Sequence, residues 1–147
     1  MLNEGEPFPD FALPDQDGNL VTLASLRGQK AVVYFYPKDD TPGCTTEACG
    51  FRDAAPPGAK VIGVSPDPVK SHKKFAEKFD LGFVLLSDSD HRLSEAVGVW
   101  VEKSMYGKKY MGVARTTFIL DEDGIVRKVF REVKPQGHAA EVAQALA

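Results

Sequence analysis

The run Ala31-Val32-Val33-Tyr34-Phe35-Tyr36 constrains this chain more than any other stretch. Six consecutive small apolar, β-branched or aromatic residues leave no polar face for water. The pattern therefore predicts a strand buried on both sides, at the centre of a sheet. Pro37 ends it, because proline has no N–H to give to a strand ladder. A strand covered on both faces needs helices, and the remaining sequence provides them. Cys44 to Asp53 lacks strand alternation and predicts a helix. Val61-Ile62-Gly63-Val64, closed by Ser65-Pro66, predicts a second buried strand. Asp67-Pro68 then opens a helix, with Asp67 as an acidic cap and Pro68 in the first turn. Val69, His72, Phe75, Ala76 and Phe79 recur along it at helical spacing.

Phe83-Val84-Leu85-Leu86 predicts a third strand, Ser94 to Val97 a short helix, and His138 to Ala147 a closing helix with Ala139, Val142 and Leu146 on one side. Two hairpins frame this core. Phe8, Phe11 and Leu13 face Leu20, Val21 and Leu23 across a turn at Asp17-Gly18-Asn19. Thr116 to Leu120 and Ile125 to Phe130 flank the turn Asp121-Glu122-Asp123-Gly124. With neither repeat nor linker, residues 1–147 are expected to form one α/β domain, a central mixed β-sheet flanked by helices behind an N-terminal β-hairpin.

The 147 residues suffice for one well-buried core. A net charge of -3 gives no reason to expect a nucleic acid or an anionic membrane as partner. Lys70, Lys73, Lys74 and Lys78 are expected to form the solvated face of their helix. Met1 to Glu6 has neither a basic n-region nor an apolar run, and no stretch is long enough to span a bilayer. The expectation is a soluble, cytoplasmic protein. Two cysteines in a reducing compartment make a poor structural staple, and one pair with three distant histidines makes a poor zinc site. What remains is two inert buried thiols or redox chemistry, and composition does not choose between them.

Both cysteines follow the central strand, in Pro37-Lys38-Asp39-Asp40-Thr41-Pro42-Gly43-Cys44-Thr45-Thr46-Glu47-Ala48-Cys49. Loops at the carboxyl ends of such strands are where open α/β sheets bind ligands. An unperturbed thiol, with a pKa of about 8.5, is only about 3% thiolate at pH 7. A cysteine in the first helical turn faces unpaired N–H groups and the positive end of the helix dipole. A nearby guanidinium would add a fixed charge. Bringing the pKa to about 6 would take roughly 3.4 kcal/mol and make the thiolate about 90% populated. A reaction of such a thiolate that expels an anionic oxygen also needs donors for it, where one donor is worth about 3 kcal/mol in other enzymes. The Thr41 hydroxyl, three residues before Cys44, can donate and accept. Pro37, with its rigid ring, can shield the sulfur and hold the loop.

Pro37-x-x-x-Thr41-x-x-Cys44 resembles the active-site motif of peroxiredoxins. The longer string from Thr41 to Cys49 is similar to the peroxiredoxin Q, or bacterioferritin comigratory protein, branch. The resemblance extends to Phe8-Pro9-Asp10-Phe11, to Tyr34-Phe35-Tyr36-Pro37 and to Arg115-Thr116-Thr117-Phe118-Ile119. It implies a thioredoxin-like fold and a thiol-specific peroxidase acting on hydrogen peroxide and organic hydroperoxides, with no cofactor or metal. It implies Cys44 as the peroxidatic cysteine, with Thr41, Pro37 and Arg115 completing the site, and Cys49 as the resolving thiol. It also implies thioredoxin or a similar dithiol as reductant and a monomeric protein. Glu47 is expected to orient Arg115.

Five residues of regular helix separate two Cα atoms by roughly 8 to 9 Å, beyond the roughly 4.4 to 6.8 Å of a disulfide. Forming a Cys44–Cys49 bond therefore requires the helix to unwind. Gly43, Gly50 and the pair Pro56-Pro57 suit such remodelling. Two other readings use the same cysteines. A general thiol–disulfide oxidoreductase on this fold normally has Cys-x-x-Cys, and the wider spacing argues against it. A dithiol metal or redox-sensor module would leave Thr41, Pro37 and Arg115 without a purpose. His72, His91 and His138 are expected to be surface or hydrogen-bonded histidines, and Trp100, Tyr106 and Tyr110 to pack a loop at the border of the substrate entrance.

Overall fold

A computed structural model describes residues 1–54 and 58–146. The predicted central strand is β3 (Lys30–Phe35), flanked by β4 (Ala59–Ser65) on one side and β8 (Thr116–Leu120) on the other. With β5 (Val84–Ser87) and β9 (Val126–Phe130) the sheet order is β5-β4-β3-β8-β9. β3, β4 and β5 are parallel, whereas β8 is antiparallel to both β3 and β9, so the sheet is mixed. The parallel pairs demand crossovers. These are the helices α1 (Pro42–Asp53), between β3 and β4, and α2 (Val69–Lys78), between β4 and β5.

Because β3 is buried on both faces, its side chains alternate between two cores. Val32, Tyr34 and Tyr36 pack with Cys44, Ala48 and Phe51 of α1, Phe75 of α2, and Ala139 and Val142 of α4 (His138–Leu146). Val33 and Phe35 face the opposite core with Phe8, Leu23, Phe118 and the short helix α3 (Arg92–Val97). Helices α1, α2 and α4 thus cover one face, and α3 with the N-terminal segment covers the other. The N-terminal hairpin pairs β1 (Ala12–Pro14) with β2 (Leu20–Thr22), and a 3-10 turn, Ala24–Leu26, follows. Its turn is organised by Asp15, whose Oδ1 accepts from the N–H groups of Asp17 and Asn19. Lys70, Lys73, Lys74 and Lys78 are exposed, as expected.

Several expectations need correction. Trp100, Tyr106 and Tyr110 do not pack a loop: β6 (Trp100–Met105) and β7 (Lys108–Val113) form a third hairpin. Tyr106 and Gly107, both at positive φ, make its two-residue turn, and Tyr106 is 98% exposed. Charged residues along both strands hide the alternation that would have announced it. Asp67 does not cap α2 either. Pro68 stands at the cap position, and the Asp67 carboxylate accepts instead from the backbone N–H of Asp39, at 2.6 Å. α3 begins earlier than Ser94, because the Asp88 carboxylate accepts from the N–H groups of Leu93 and Ser94. Pro56, Pro57 and Ala147 lie outside the described residues. Among the described residues no helix is long and apolar enough to cross a membrane.

Candidate active site

The turn from β3 into α1 brings three chemistry-bearing side chains together. On α1, Cys44, Glu47, Ala48 and Phe51 are buried. Their spacing of three, four and seven residues puts them on one helix face, against the sheet. Arg115 lies immediately before β8, antiparallel to β3, and so returns to the same end of the sheet. Its Nη2 donates to Cys44 Sγ at 3.3 Å, and its Nη1 donates to Glu47 Oε1 at 2.7 Å. One guanidinium thus holds the sulfur with one arm and a carboxylate with the other. The close approach also explains Gly43. A Cβ there would lie 3.2 Å from Arg115 Nη2 and 3.3 Å from Pro135 Cγ.

The start of α1 adds further donors. Thr41 caps the helix by position, in extended backbone, but its hydroxyl donates to the Lys38 carbonyl (2.9 Å) rather than back into the helix. The first intrahelical acceptor, the Thr41 carbonyl, takes the N–H of Thr45 at 2.8 Å. Pro42 has no N–H, so the backbone N–H groups of Gly43 and Cys44 are left without an acceptor among the described residues. Cys44 is 1% exposed, which keeps bulk water away from the sulfur. Pro37 is half-buried at the head of the loop.

Glu47 is fully enclosed, and its Oε2 has no hydrogen-bond partner among the described residues. Burial pushes its carboxyl up to about 7, against the opposing pull of Arg115. Burial works against the Arg115 charge as well, but Glu47 and Cys44 more than offset it and hold its pKa above the ordinary value. The folded chain therefore binds the Glu47 proton more tightly than the unfolded chain does. Its contribution to stability is whole below about pH 4.5 and is lost as the pH rises through about 7. Glu47→Gln is expected to flatten that decline, measured as denaturant midpoints between about pH 5 and 8. An unchanged slope would show that the carboxyl does not titrate in this range.

The second cysteine sits apart. Cys49 is in the same unbroken helix as Cys44 but off its buried face, and both thiols are free. Sequence reasoning missed Lys103 on β6, where the chain was read as a loop. Burial, and then the Arg115 charge, lower the Lys103 pKa, while Cys44 raises it, so this amine lies within electrostatic reach of both. His72 and His138 are hydrogen-bonded, as expected, with His138 2.7 Å from Thr117 Oγ1, whereas His91 is half-buried and stacks on Trp100. Among the described residues there is no metal-binding cluster of His, Cys, Asp or Glu.

Residues 5–129 match the model of the AhpC/TSA family. The chain belongs to that family. Peroxiredoxin Bcp of Bacillus subtilis is 49% identical over 146 residues, covering 97% of this chain and 93% of its own. Peroxiredoxin Bcp of Escherichia coli strain K12 is 48% identical over 141 residues, covering 93% and 90%. A cysteine-to-serine variant of Xylella fastidiosa PrxQ superposes with a TM-score of 0.93 at 38% identity, covering 99% of this chain and 96% of that one. This AhpC/TSA protein is thus a thiol peroxidase with the thioredoxin-like fold of peroxiredoxins, as its motif implied. The stretch Pro37 to Cys44 that carries the resemblance ends at the sulfur that Arg115 reaches.

Proposed function

We propose that this peroxidase reduces hydrogen peroxide and organic hydroperoxides through Cys44, closes a Cys44–Cys49 disulfide, and is recycled by thioredoxin or a similar dithiol. The observation that carries the reading is the Arg115 fork, with one arm on Cys44 Sγ and the other on Glu47. The guanidinium and the free N–H groups at the start of α1 favour the anionic sulfur. The thiolate attacks the terminal peroxide oxygen, the O–O bond breaks, and the departing alkoxide or hydroxide takes up a proton. Sulfur keeps the transferred OH as a sulfenic acid. The charge developing on the departing oxygen meets Arg115 and the N–H groups of Gly43 and Cys44. Thr41 positions the peroxide through its hydroxyl oxygen, and Pro37 closes the loop side.

Cys49 then condenses with the sulfenic acid, forming the S–S bond and releasing water. A dithiol attacks that bond, leaves as its own disulfide, and restores both thiols. Peroxide attack and disulfide closure each take place within one chain, and we assign the protein as a single-domain cytoplasmic monomer. Nothing in the charge or the fold calls for nucleic acid or a membrane.

Stopped-flow oxidation of the reduced protein by hydrogen peroxide tests the reading. Wild type is expected to react far faster than free cysteine, and Arg115→Met about 100-fold more slowly than wild type. A wild-type rate no greater than that of free cysteine would overturn the assignment.

A further inference from the structure

The loop between β3 and α1 has to hold Pro37 and Thr41 in place without regular secondary structure of its own. It also contains Asp40 in the left-handed region, at φ 55. A short loop in such a conformation persists only where its surroundings fix it. Its anchor is Asp39, which is buried among side chains that lie outside α1. The Tyr36 hydroxyl donates to Asp39 Oδ1 at 2.5 Å, and Ser71 Oγ donates to Oδ2 at 2.8 Å. His72 Nδ1 lies 2.6 Å from the same Oδ2, and the histidine is fully buried. The backbone N–H of Asp39 is taken by Asp67 at the end of β4.

His72 is itself fixed from behind. Its Nε2 is 2.9 Å from the Leu86 carbonyl, which only accepts, so Nε2 carries a hydrogen. The ring is held at both nitrogens, by the Leu86 carbonyl on one side and Asp39 Oδ2 on the other. The chain Leu86–His72–Asp39–Tyr36 thus runs unbroken from β5 through α2 to the end of β3. Asp40 adds an outer tether, accepting from Lys78 Nζ at 2.8 Å. None of these residues is on α1.

We propose that Asp39 and His72 form a clamp that positions the Pro37–Thr41 loop for attack on peroxide, and that this clamp takes no part in closing the disulfide. Both are positioning residues, acting through the loop without touching the sulfur. The inference rests on the peroxidase cycle above, in which α1 opens after the first step. A loop held from α2 and β5 keeps its place while α1 unwinds on its other side. Loosening the clamp therefore misplaces Thr41 and the first turn for the oxidation step, where small displacements cost large factors in rate. Disulfide closure depends on the opening of α1 and is left alone.

Quenched-flow mass analysis of the full chain, mixed with hydrogen peroxide, resolves sulfenic acid formation from disulfide formation. Asp39→Ala is expected to lower the second-order oxidation rate about tenfold or more, with the first-order closure rate within about threefold of wild type. His72→Gln breaks the clamp from the other side and is expected to show the same split, so the test survives if one variant fails to fold. Asp39→Asn keeps the shape, and its amide can donate to Nδ1 of a neutral ring. It is expected to recover most of the oxidation rate. Oxidation of Asp39→Ala at the wild-type rate would overturn the clamp. So would equal slowing of both steps with no recovery in Asp39→Asn, the mark of general loosening. A wild-type protein that oxidises no faster than free cysteine would instead remove the peroxidase reading, and the clamp with it.

Discussion

A Cys44→Ser protein is expected to consume no hydroperoxide in the presence of a dithiol reductant. The substitution exchanges a sulfur for a smaller oxygen at a site that is 1% exposed, beside a guanidinium that can still form a hydrogen bond. The fold should therefore remain, with a thermal midpoint within a few degrees of wild type. The chemistry should not. A serine hydroxyl is far harder to ionise than a thiol, and one guanidinium with two backbone N–H groups cannot make up the difference near neutral pH. Oxygen also forms no stable counterpart of the sulfenic acid on which the second step depends. Cys49 cannot take over, since it lies off the helix face that meets Arg115. Coupled turnover assays with hydrogen peroxide and an organic hydroperoxide check this. A residual rate above about a tenth of wild type would mean that the reaction runs through another group.

The parts of this site that were legible in the sequence are those set by local pattern. Six apolar residues before Pro37 located the central strand, and the residues from Thr41 to Cys49 located the helix that receives it. Arg115 immediately precedes the apolar run Thr116 to Leu120, a charge at the mouth of a strand. For Glu47, 68 residues away, the choice lay between a solvated helix charge and a carboxylate that orients Arg115, and the antiparallel β3–β8 register makes their pairing possible. What stayed illegible depends on crossovers. His72 recurs on the apolar stripe of α2 with Val69 and Phe75, which marks it as buried but says nothing of its partner. That partner, Asp39, is 33 residues earlier and meets it only because α2 packs beside the end of β3. Asp67 looked like a cap because it precedes a helix, yet the neighbouring strand end offered its carboxylate the Asp39 N–H. The β6–β7 hairpin was hidden for another reason: its strands stand largely in solvent, where no buried face enforces alternation.

Replacing Cys49 by serine is expected to leave the first oxidation intact and stop turnover with a dithiol, since the sulfenic acid then has no internal thiol to meet. The reason lies in the geometry of α1. Cys44 and Cys49 sit in one continuous helix, where five residues give about 7.5 Å of rise and about 140° of rotation. A disulfide needs the two Cα atoms within roughly 7 Å of each other, with side chains that converge. The start of α1 is its weaker end: Pro42 contributes no N–H, Gly43 follows, and two backbone donors have no helical acceptor. The other end is anchored by Phe51, stacked on Tyr34 at 4.8 Å and edge-on to His138 at 5.7 Å. Unwinding should therefore proceed from Pro42 toward Gly50 while Phe51 stays docked. Opening should also pull Cys44 away from Arg115, so the disulfide form is expected to lose that contact. Amide exchange from Thr45 to Gly50 is expected to quicken by about 100-fold or more in the disulfide form of the wild type, and to stay slow in the reduced Cys49→Ser protein. Exchange across β3 and β8 should differ little between the two, because neither strand takes part. Equal protection of residues 45–50 in the reduced and disulfide forms would mean that the bond closes without unwinding, which a regular helix with this spacing does not permit.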